Sequence, residues 1–213
     1  MKLLLASTNR GKAREIQEAL SGLFIELVSL REFTKVPEVI EDGLTFEANA
    51  RLKARIYGDW SGLLTLADDS GLVVEALGGA PGVLSARYAG LSASDEQNNR
   101  KLIEAIHNIP QAKRQAAFVC ALALYDPQKS FSEVFEGRME GEIISEPRGL
   151  NGFGYDPHFW VPSLGKTTAE LELEEKNKIS HRGKALEKLM KYLSGRQDSN
   201  LRPPAPKAGA LPG

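Results

Sequence analysis

The apolar run Leu3-Leu4-Leu5-Ala6 passes directly into Ser7-Thr8-Asn9-Arg10-Gly11-Lys12, and a helical pattern follows over residues 11–22. A strand that leads into an amphipathic helix is the repeating unit of an α/β fold. Backbone N–H groups are free at such a helix start, where the helix dipole favours an anion. The small polar residues and the lysine therefore indicate a phosphate-binding loop. The alternative is an ordinary helix cap formed by one of the small polar side chains.

The composition of the chain is that of a globular protein. It has 213 residues, of which 42% are hydrophobic and 26% charged, with a net charge of −1. This charge balance gives no support to a nucleic-acid partner. The single cysteine, Cys120, lies in an apolar run, which favours a buried thiol and a reducing compartment. The apolar start of the chain ends at Ser7, too early for a signal peptide, so we expect a cytoplasmic protein without a membrane partner.

The remaining pattern predicts strands that alternate with helices, followed by a central hairpin. Predicted strands cover residues 2–6, 24–30, 63–68, 72–76, 115–125 and 130–139, and predicted helices cover residues 45–57, 94–107 and 182–193. This order favours an α/β fold with a mixed sheet. The Pro-, Gly- and Ala-rich composition after residue 194 predicts one domain over 1–194 and a disordered tail over 195–213.

Two adjacent acids, Asp68 and Asp69, follow the apolar run of residues 63–67 and precede Ser70-Gly71. Neighbouring carboxylates repel each other and lose hydration at a buried strand end, and a divalent cation relieves both costs. The alternative is a tight turn capped by an aspartate side chain. Since adjacent strand residues point to opposite faces, we expect only one of the two acids to face a site.

Two later segments also carry side chains suited to a ligand. The loop Gly152-Phe153-Gly154-Tyr155-Asp156-Pro157 combines glycines, which let a ligand approach the backbone, with aromatic faces for a base or a sugar. The basic segment 176–184 contains His181-Arg182, which can donate to carbonyl oxygens. The alternatives are a structural turn with core aromatics for the first segment and a solvated helix start for the second.

Six segments, in this order, resemble the inosine/xanthosine triphosphate pyrophosphatase family, which cleaves deaminated purine nucleoside triphosphates. The matching segments are Ser7–Lys12, Gly43–Phe46 with Asn49-Ala50 and Lys53, Ala67–Leu72, Gly78–Gly82 with Ser85–Tyr88, Gly152–Pro157 and Ser180–Gly183. They span residues 3–193. One position departs from the pattern: many relatives carry Glu directly before the asparagine, where this chain has Ala48. No metal role is assigned there.

The resemblance implies a mixed, elongated central sheet flanked by helices, with two lobes around the substrate cleft. It further implies a homodimer, a Mg²⁺ cofactor, and a nucleoside monophosphate and pyrophosphate as products from dITP, ITP or XTP. Carried over by position, Asp69 is the catalytic carboxylate and a Mg²⁺ ligand, and Glu41 is a second metal ligand. The substrate-binding residues implied in the same way are Ser7, Thr8, Asn9, Arg10, Gly11, Lys12, Lys53, Ser70, Phe153, Gly154, Tyr155, Asp156, Lys176, His181 and Arg182.

Two other functions remain open at this point. One is a related pyrophosphatase of the Maf-like group that acts on pyrimidine or modified nucleotides, although it would not account for Ser180–Gly183 or the Phe-Gly-Tyr-Asp loop. The other is a non-catalytic nucleotide sensor that binds the triphosphate and signals through a partner. The presence of Asp69, Lys12 and Lys53 argues against a protein that has lost catalysis.

Overall fold

The computed structural model of the chain describes residues 2–201, with the side chains of residues 2–195. In this part of the chain the strands are β1 (Lys2–Ala6), β2 (Glu26–Ser29), β3 (Thr65–Val74), β4 (Gln115–Asp126), β5 (Phe131–Ile143), β6 (Phe159–Val161) and β7 (Lys166–Thr167). The α-helices are α1 (Arg10–Leu20), α2 (Phe46–Ser61), α3 (Asp95–Ala105), α4 (Leu173–Ile179) and α5 (His181–Leu201). Short 3-10 helices connect several of these elements, among them Gly82–Arg87.

All seven strands form one sheet in the order β2-β1-β3-β4-β5-β6-β7. Strand β1 is parallel to β2 on one side and to β3 on the other, and the remaining pairs are antiparallel. The prediction of an α/β fold with a mixed sheet flanked by helices is therefore confirmed. The register pairs Ala6 with Ala67, so the loop after β1 begins level with Asp68. This register brings together two segments that are far apart in the sequence.

The core divides into two lobes that share the long strands of the sheet. In the first lobe, α1 and α5 pack on one face of the sheet against a cluster that includes Leu3, Leu66 and Leu122, while α2 packs on the other face. In the second lobe, Leu72 and Phe118 belong to a separate buried cluster. Strands β3 and β4 run through both lobes, and residues 68–71 of β3 lie where the two lobes meet.

The break predicted between the strands of residues 63–68 and 72–76 is wrong, because β3 continues through residues 68–71. The ladder with β4 keeps this segment extended: Asp68 pairs with Leu122, Asp69 with Ala121 and Gly71 with Val119. Long-range pairing of this kind overrides the local preference of Asp, Ser and Gly for a turn. The two predicted short strands are thus one strand, and the acids lie in its middle rather than at its end.

The last helix extends further than the sequence pattern suggested. We expected helical structure to end near residue 194, but α5 continues to Leu201. Residues 202–213, which make up most of the predicted disordered tail, lie outside the described residues, so the domain boundary stays a prediction. Within residues 2–201, no helix has both the length and the apolar composition required to cross a lipid bilayer.

Candidate active site

A cavity of about 410 Å³ opens between the two lobes, at the carboxyl end of β1. Its wall is formed by the loop after β1, the middle of β3, the 3-10 helix Gly82–Arg87, the start of α3, the loop before residue 157, and the helices α4 and α5. From β1 the chain passes through α1 to β2 on one side of β1, and from β2 it returns through α2 to β3 on the other side. Open α/β sheets bind ligands at such a position.

The loop after β1 leads into a helix start that is suited to binding an anion. The Asn9 side chain caps α1 by accepting a hydrogen bond from Lys12 N at 3.0 Å. The first intrahelical bond is donated by Ala13 N to Asn9 O, so Arg10 and Gly11 contribute N–H groups without an intrahelical acceptor. The helix-cap alternative and the phosphate-loop prediction are therefore compatible, because the cap orders the amides that an anion would use.

A carboxylate pair meets one ammonium group beside α2. Lys53 Nζ lies 2.7 Å from Glu41 Oε2 and 3.2 Å from Asp69 Oδ1. Asn49 Nδ2 donates a second hydrogen bond to Asp69, at 3.2 Å to Oδ2. Both Lys53 and Asn49 belong to α2, whose start is fixed by the Thr45 side chain. One helix thus holds the Asp69 carboxylate in place.

The surroundings of this pair bring the pKa of Asp69 close to neutral pH. Burial raises the pKa of Asp69 to about 6, with a further raising effect from Glu41 that Lys53 and Lys12 oppose. For Glu41, burial raises the pKa, but the Lys53 ammonium outweighs it and the net pKa is lowered. A carboxylate with a raised pKa in a cleft is suited to proton transfer or to binding a cation.

The neighbouring acid, Asp68, has a different environment on the other face of the sheet. Its carboxylate is buried, with Arg182 Nε at 2.8 Å from Oδ2 and Lys12 Nζ at 2.6 Å from Oδ1. Burial alone would raise the pKa of Asp68, but Arg182 and Lys12 hold it well below its usual value. Asp68 is therefore a permanent anion that fixes two cations. Both acids contribute to the cavity wall, but their carboxylates lie on opposite faces of the sheet, as the alternation along a strand predicts.

A second part of the cavity wall is built around the Phe153 ring. Lys176 Nζ lies 4.9 Å from the ring centroid, and the Arg182 guanidinium lies 5.9 Å from it. A Cβ atom at Gly11 would lie 2.5 Å from Phe153 Cδ1, so only glycine lets α1 approach the ring. An aromatic ring beside two cations is suited to a flat, electron-rich group such as a nucleobase.

Lys176 and Arg182 are themselves held by buried acids. Lys176 Nζ lies 2.6 Å from Asp156 Oδ2 and 2.8 Å from Glu15 Oε1. Arg182 pairs with Glu15 through Nη1, and its Nη2 donates to Ser70 Oγ at 2.7 Å. Buried charges of this kind are costly unless they are paired, and here every one of them is. The result is a rigid floor for the cavity.

His181 is a neutral ring in this charged surrounding. It stacks on Phe118 with centroids 4.9 Å apart. Burial, together with the nearby positive charge of Arg182, holds the pKa of His181 well below its usual value. Its Nδ1 atom is buried and has no hydrogen-bond partner among the described residues. A neutral imidazole presents one donor and one acceptor, so this buried ring nitrogen has an unused hydrogen-bonding capacity.

The structure brings together most of the residues that the sequence singled out. Those that line the cavity are Ser7, Thr8, Asn9, Lys12, Glu41, Lys53, Asp69, Ser70, Phe153, Gly154, Tyr155, Asp156, Lys176, His181 and Arg182. Arg10 and Gly11 do not line it; Arg10 is exposed, and Gly11 instead makes room for Phe153. The Ser70 hydroxyl is already occupied, since it donates to Asp68 Oδ1 at 2.9 Å and accepts from Arg182.

Some residues that shape the cavity were not predicted. Glu15 lies behind the wall and pairs with Lys176 and Arg182, and a surface-like helical pattern gave no signal of its burial. Arg87 donates from Nη2 to Glu41 O at 2.9 Å and so holds the loop that carries this acid. Asp95 also lines the cavity. Of these three, only Arg87 had a sequence signal, because it lies in Ser85–Tyr88, one of the segments that carry the family resemblance.

The donor set beside α2 fits Mg²⁺ bound together with a phosphorylated ligand. Glu41 and Asp69 supply hard carboxylate oxygens that share one ammonium group, and burial, with a smaller contribution from the charge of Glu41, raises the pKa of Asp69. Among residues 2–195 there is no group of three or more His, Cys, Asp or Glu side chains that would enclose a metal ion. Two carboxylates are enough for Mg²⁺, which typically binds one or two of them and completes its shell with water and phosphate oxygens.

Comparisons with known proteins agree on one family over nearly the whole described chain. Residues 3–192 match the model of the Ham1 family. The dITP/XTP pyrophosphatase of Geobacter sulfurreducens is 52% identical over 193 residues, which cover 90% of this chain and 96% of that protein. The dITP/XTP pyrophosphatase of Nitrosomonas europaea is 52% identical over 197 residues, covering 91% and 94% of the two chains.

A solved structure gives the same result for the fold. The HAM1 protein of Coxiella burnetii superimposes with a TM-score of 0.84 at 47% sequence identity, and the match covers 92% of this chain and 99% of that one. At this level of identity the two chains share their fold as well as their sequence family.

Proposed function

Because this chain belongs to the Ham1 family, we propose that it hydrolyses deaminated purine nucleoside triphosphates, namely dITP, ITP and XTP, to the monophosphate and pyrophosphate. The observation that carries the proposal is one cavity lined by two different sets of groups. A carboxylate pair with two lysines suits a metal-bound triphosphate, and an aromatic ring with buried donors suits a purine. The reaction would remove deaminated purines from the nucleotide pool before a polymerase incorporates them.

The reaction we propose is attack of water on the α-phosphate with pyrophosphate as the leaving group. Asp69 accepts a proton from the water or orients it, since its pKa of about 6 lies close to neutral pH. Lys12 and the loop residues Ser7, Thr8 and Asn9, which line the cavity, bind the phosphates. Lys53, whose ammonium already contacts Asp69, adds a phosphate contact on the other side.

Mg²⁺ is the proposed cofactor, held by Glu41 and Asp69. When bound, it would neutralise charge on the phosphate oxygens and fix their orientation. Lys53 keeps the two carboxylates together before the metal arrives, with N–O distances of 2.7 and 3.2 Å. Arg87 restrains the Glu41 backbone, so the position of this ligand does not depend on the loop alone.

Selectivity for deaminated purines would come from hydrogen-bond donors at the base end. Hypoxanthine and xanthine carry a carbonyl at position 6, where adenine carries an amino group. Arg182 is a donor in every protonation state, and neutral His181 contributes one ring N–H. Adenine would place a donor against donors, and each unpaired buried donor costs about 1–3 kcal/mol. Phe153 and Tyr155, with Gly154 and Asp156, form the wall for the nucleoside.

We further propose that the protein is a cytoplasmic homodimer that binds neither nucleic acid nor membrane. The family resemblance favours the dimer, and the net charge of −1 argues against a nucleic-acid partner. The buried free thiol of Cys120 is typical of a reducing compartment. Light scattering coupled to size exclusion gives the mass of the particle; a monomer at micromolar concentration contradicts the dimer.

A panel of nucleoside triphosphates tests the proposed function. Purified protein with Mg²⁺ is expected to release pyrophosphate from dITP, ITP and XTP at kcat/KM values at least a hundredfold above those for dATP and dCTP. Two unpaired donors of the magnitude above account for such a ratio. Orthophosphate as the first product would contradict cleavage between the α- and β-phosphates. A preference for pyrimidine triphosphates would favour the Maf-like activity, and tight binding without turnover would favour the sensor.

A further inference from the structure

The backbone of Gly154 is held on both sides by one helix of the second lobe. Gly154 N donates to Asp95 Oδ2 at 2.7 Å, and Gly154 O accepts from Asn99 Nδ2 at 2.8 Å. Both side chains belong to α3, one at its first residue and one a turn later. Asn99 Oδ1 is buried without a partner among the described residues, so the bond from Nδ2 to Gly154 is made at a desolvation cost.

The held residue sits directly after the aromatic ring that we assign to the base. Gly154 has φ of +61°, a conformation that strongly favours glycine, and the surrounding segment contains no regular secondary structure before Asp156. Within the loop itself, Phe153 N donates to Asp156 Oδ2 at 2.8 Å. The position of Phe153 is thus set by two hydrogen bonds with Asp156 in its own loop and by the two bonds that α3 makes to Gly154.

Helix α3 is itself anchored to the metal-ligand end of the cavity. The buried Asn98 side chain accepts from Ala89 N at 2.8 Å and donates to Ala86 O at 3.2 Å. These contacts flank Arg87, which holds the Glu41 backbone. A chain of side-chain-to-backbone hydrogen bonds therefore runs from the loop of Glu41 through α3 to the loop of Phe153.

We propose that Asp95 and Asn99 are positioning residues for purine recognition, acting through the Gly154 backbone on Phe153. The inference rests on the proposed function, because it assumes that Phe153 stacks on the base. The hydrogen bonds of Asp95 and Asn99 go to the Gly154 backbone, whereas the phosphate chemistry is assigned to Asp69, Glu41 and the lysines beside them. Their loss weakens binding of the base and selectivity among bases, and leaves the chemical step intact.

Asp95→Ala is compared with Glu96→Ala. Both residues are exposed acids in the first turn of α3, so both variants lose the same favourable interaction with the helix dipole. Only Asp95 bonds to Gly154. We expect Asp95→Ala to raise KM for dITP about tenfold, the equivalent of about 1.4 kcal/mol, with kcat changed less than twofold. Glu96→Ala keeps both values.

Three further measurements separate positioning from general damage. Inorganic pyrophosphate, which carries no base, should inhibit Asp95→Ala and the unchanged protein with the same Ki. Asp95→Asn keeps an acceptor for Gly154 N and should restore most of the KM. Asn99→Ala should reduce the ratio of kcat/KM for dITP over dATP in the same direction as Asp95→Ala.

The proposal is overturned if the KM of Asp95→Ala stays within twofold of that of Glu96→Ala, or if the Ki of pyrophosphate rises in parallel. It is also overturned if Asp95→Asn behaves like Asp95→Ala. Absence of pyrophosphate release by the unchanged protein would contradict the proposed function instead. In that case the affinity of the same variants for dITP, measured by calorimetry, tests the role of α3. The Kd of Asp95→Ala should then be about tenfold higher than that of Glu96→Ala.

Discussion

Asp68 and Asp69 are neighbours in strand β3, but their carboxylates meet cations from opposite faces of the sheet. Asp68 accepts from Arg182 Nε at 2.8 Å on the face covered by α1 and α5, whereas Asp69 lies 3.2 Å from Lys53 on the face covered by α2. The pKa of the first is held well below its usual value, and that of the second is raised to about 6. One acid is suited to holding structure and the other to chemistry.

The structural role of Asp68 predicts a large loss of stability when its charge is removed. Asp68→Asn leaves Arg182 and Lys12 in a buried site with less negative charge to balance them, which costs about 3–5 kcal/mol. Glu140→Gln is the matched control, because it breaks an exposed ion pair with Arg138 and should cost about 0–1 kcal/mol. Urea unfolding measures both free energies. A loss below 1 kcal/mol for Asp68→Asn would contradict the role assigned to it.

The raised pKa of Asp69 predicts that protons compete with the metal just below neutral pH. A carboxylate must lose its proton to bind a cation, so affinity is full above pH 6 and falls as the pH drops through the pKa of about 6. Mn²⁺, bound without nucleotide and followed by electron paramagnetic resonance, reports the site. Its apparent Kd should rise about tenfold per pH unit below pH 6. In Asp69→Asn this dependence should disappear; a constant Kd in the unchanged protein would refute the competition.

The close approach of Gly11 to Phe153 predicts a variant that is stable but binds the base poorly. Gly11→Ala adds a Cβ 2.5 Å from Phe153 Cδ1, so the ring must move. The substitution also favours the helix by up to about 1 kcal/mol, so thermal stability should not fall much. We expect KM for dITP to rise about tenfold. Gly22→Ala, where nothing lies within 4 Å of the new Cβ, is the control and should keep the KM.

Much of the fold could be predicted because its signals are local. The apolar run before Ser7, the alternation of strands and helices and the central hairpin all follow from patterns a few residues long. The continuity of β3 could not be predicted in this way. Residues 68–71 have the composition of a turn, and only their pairing with β4 keeps them extended. Register between distant strands is a property of the whole sheet.

The candidate site shows the same division. Lys12, Asp69 and Phe153 lie in segments whose composition already indicated a ligand. Glu15 gave no such signal, because an acid on an amphipathic helix has the pattern of a solvated face. Glu15 is buried because α5 packs against α1 and places Arg182 beside it. The partners of Gly154 in α3 were equally invisible, since they meet it across a separation of more than fifty residues.

The central claim is that Asp69 carries the reaction while Asp68 holds the structure, and the Asp69→Asn variant tests it most directly. The measurement is the rate of pyrophosphate release from dITP at saturating Mg²⁺, together with calorimetric affinity for dITP. The account predicts a fall in kcat of at least about a hundredfold, with affinity within a few-fold of the unchanged protein. A kcat within twofold of the unchanged value would contradict it.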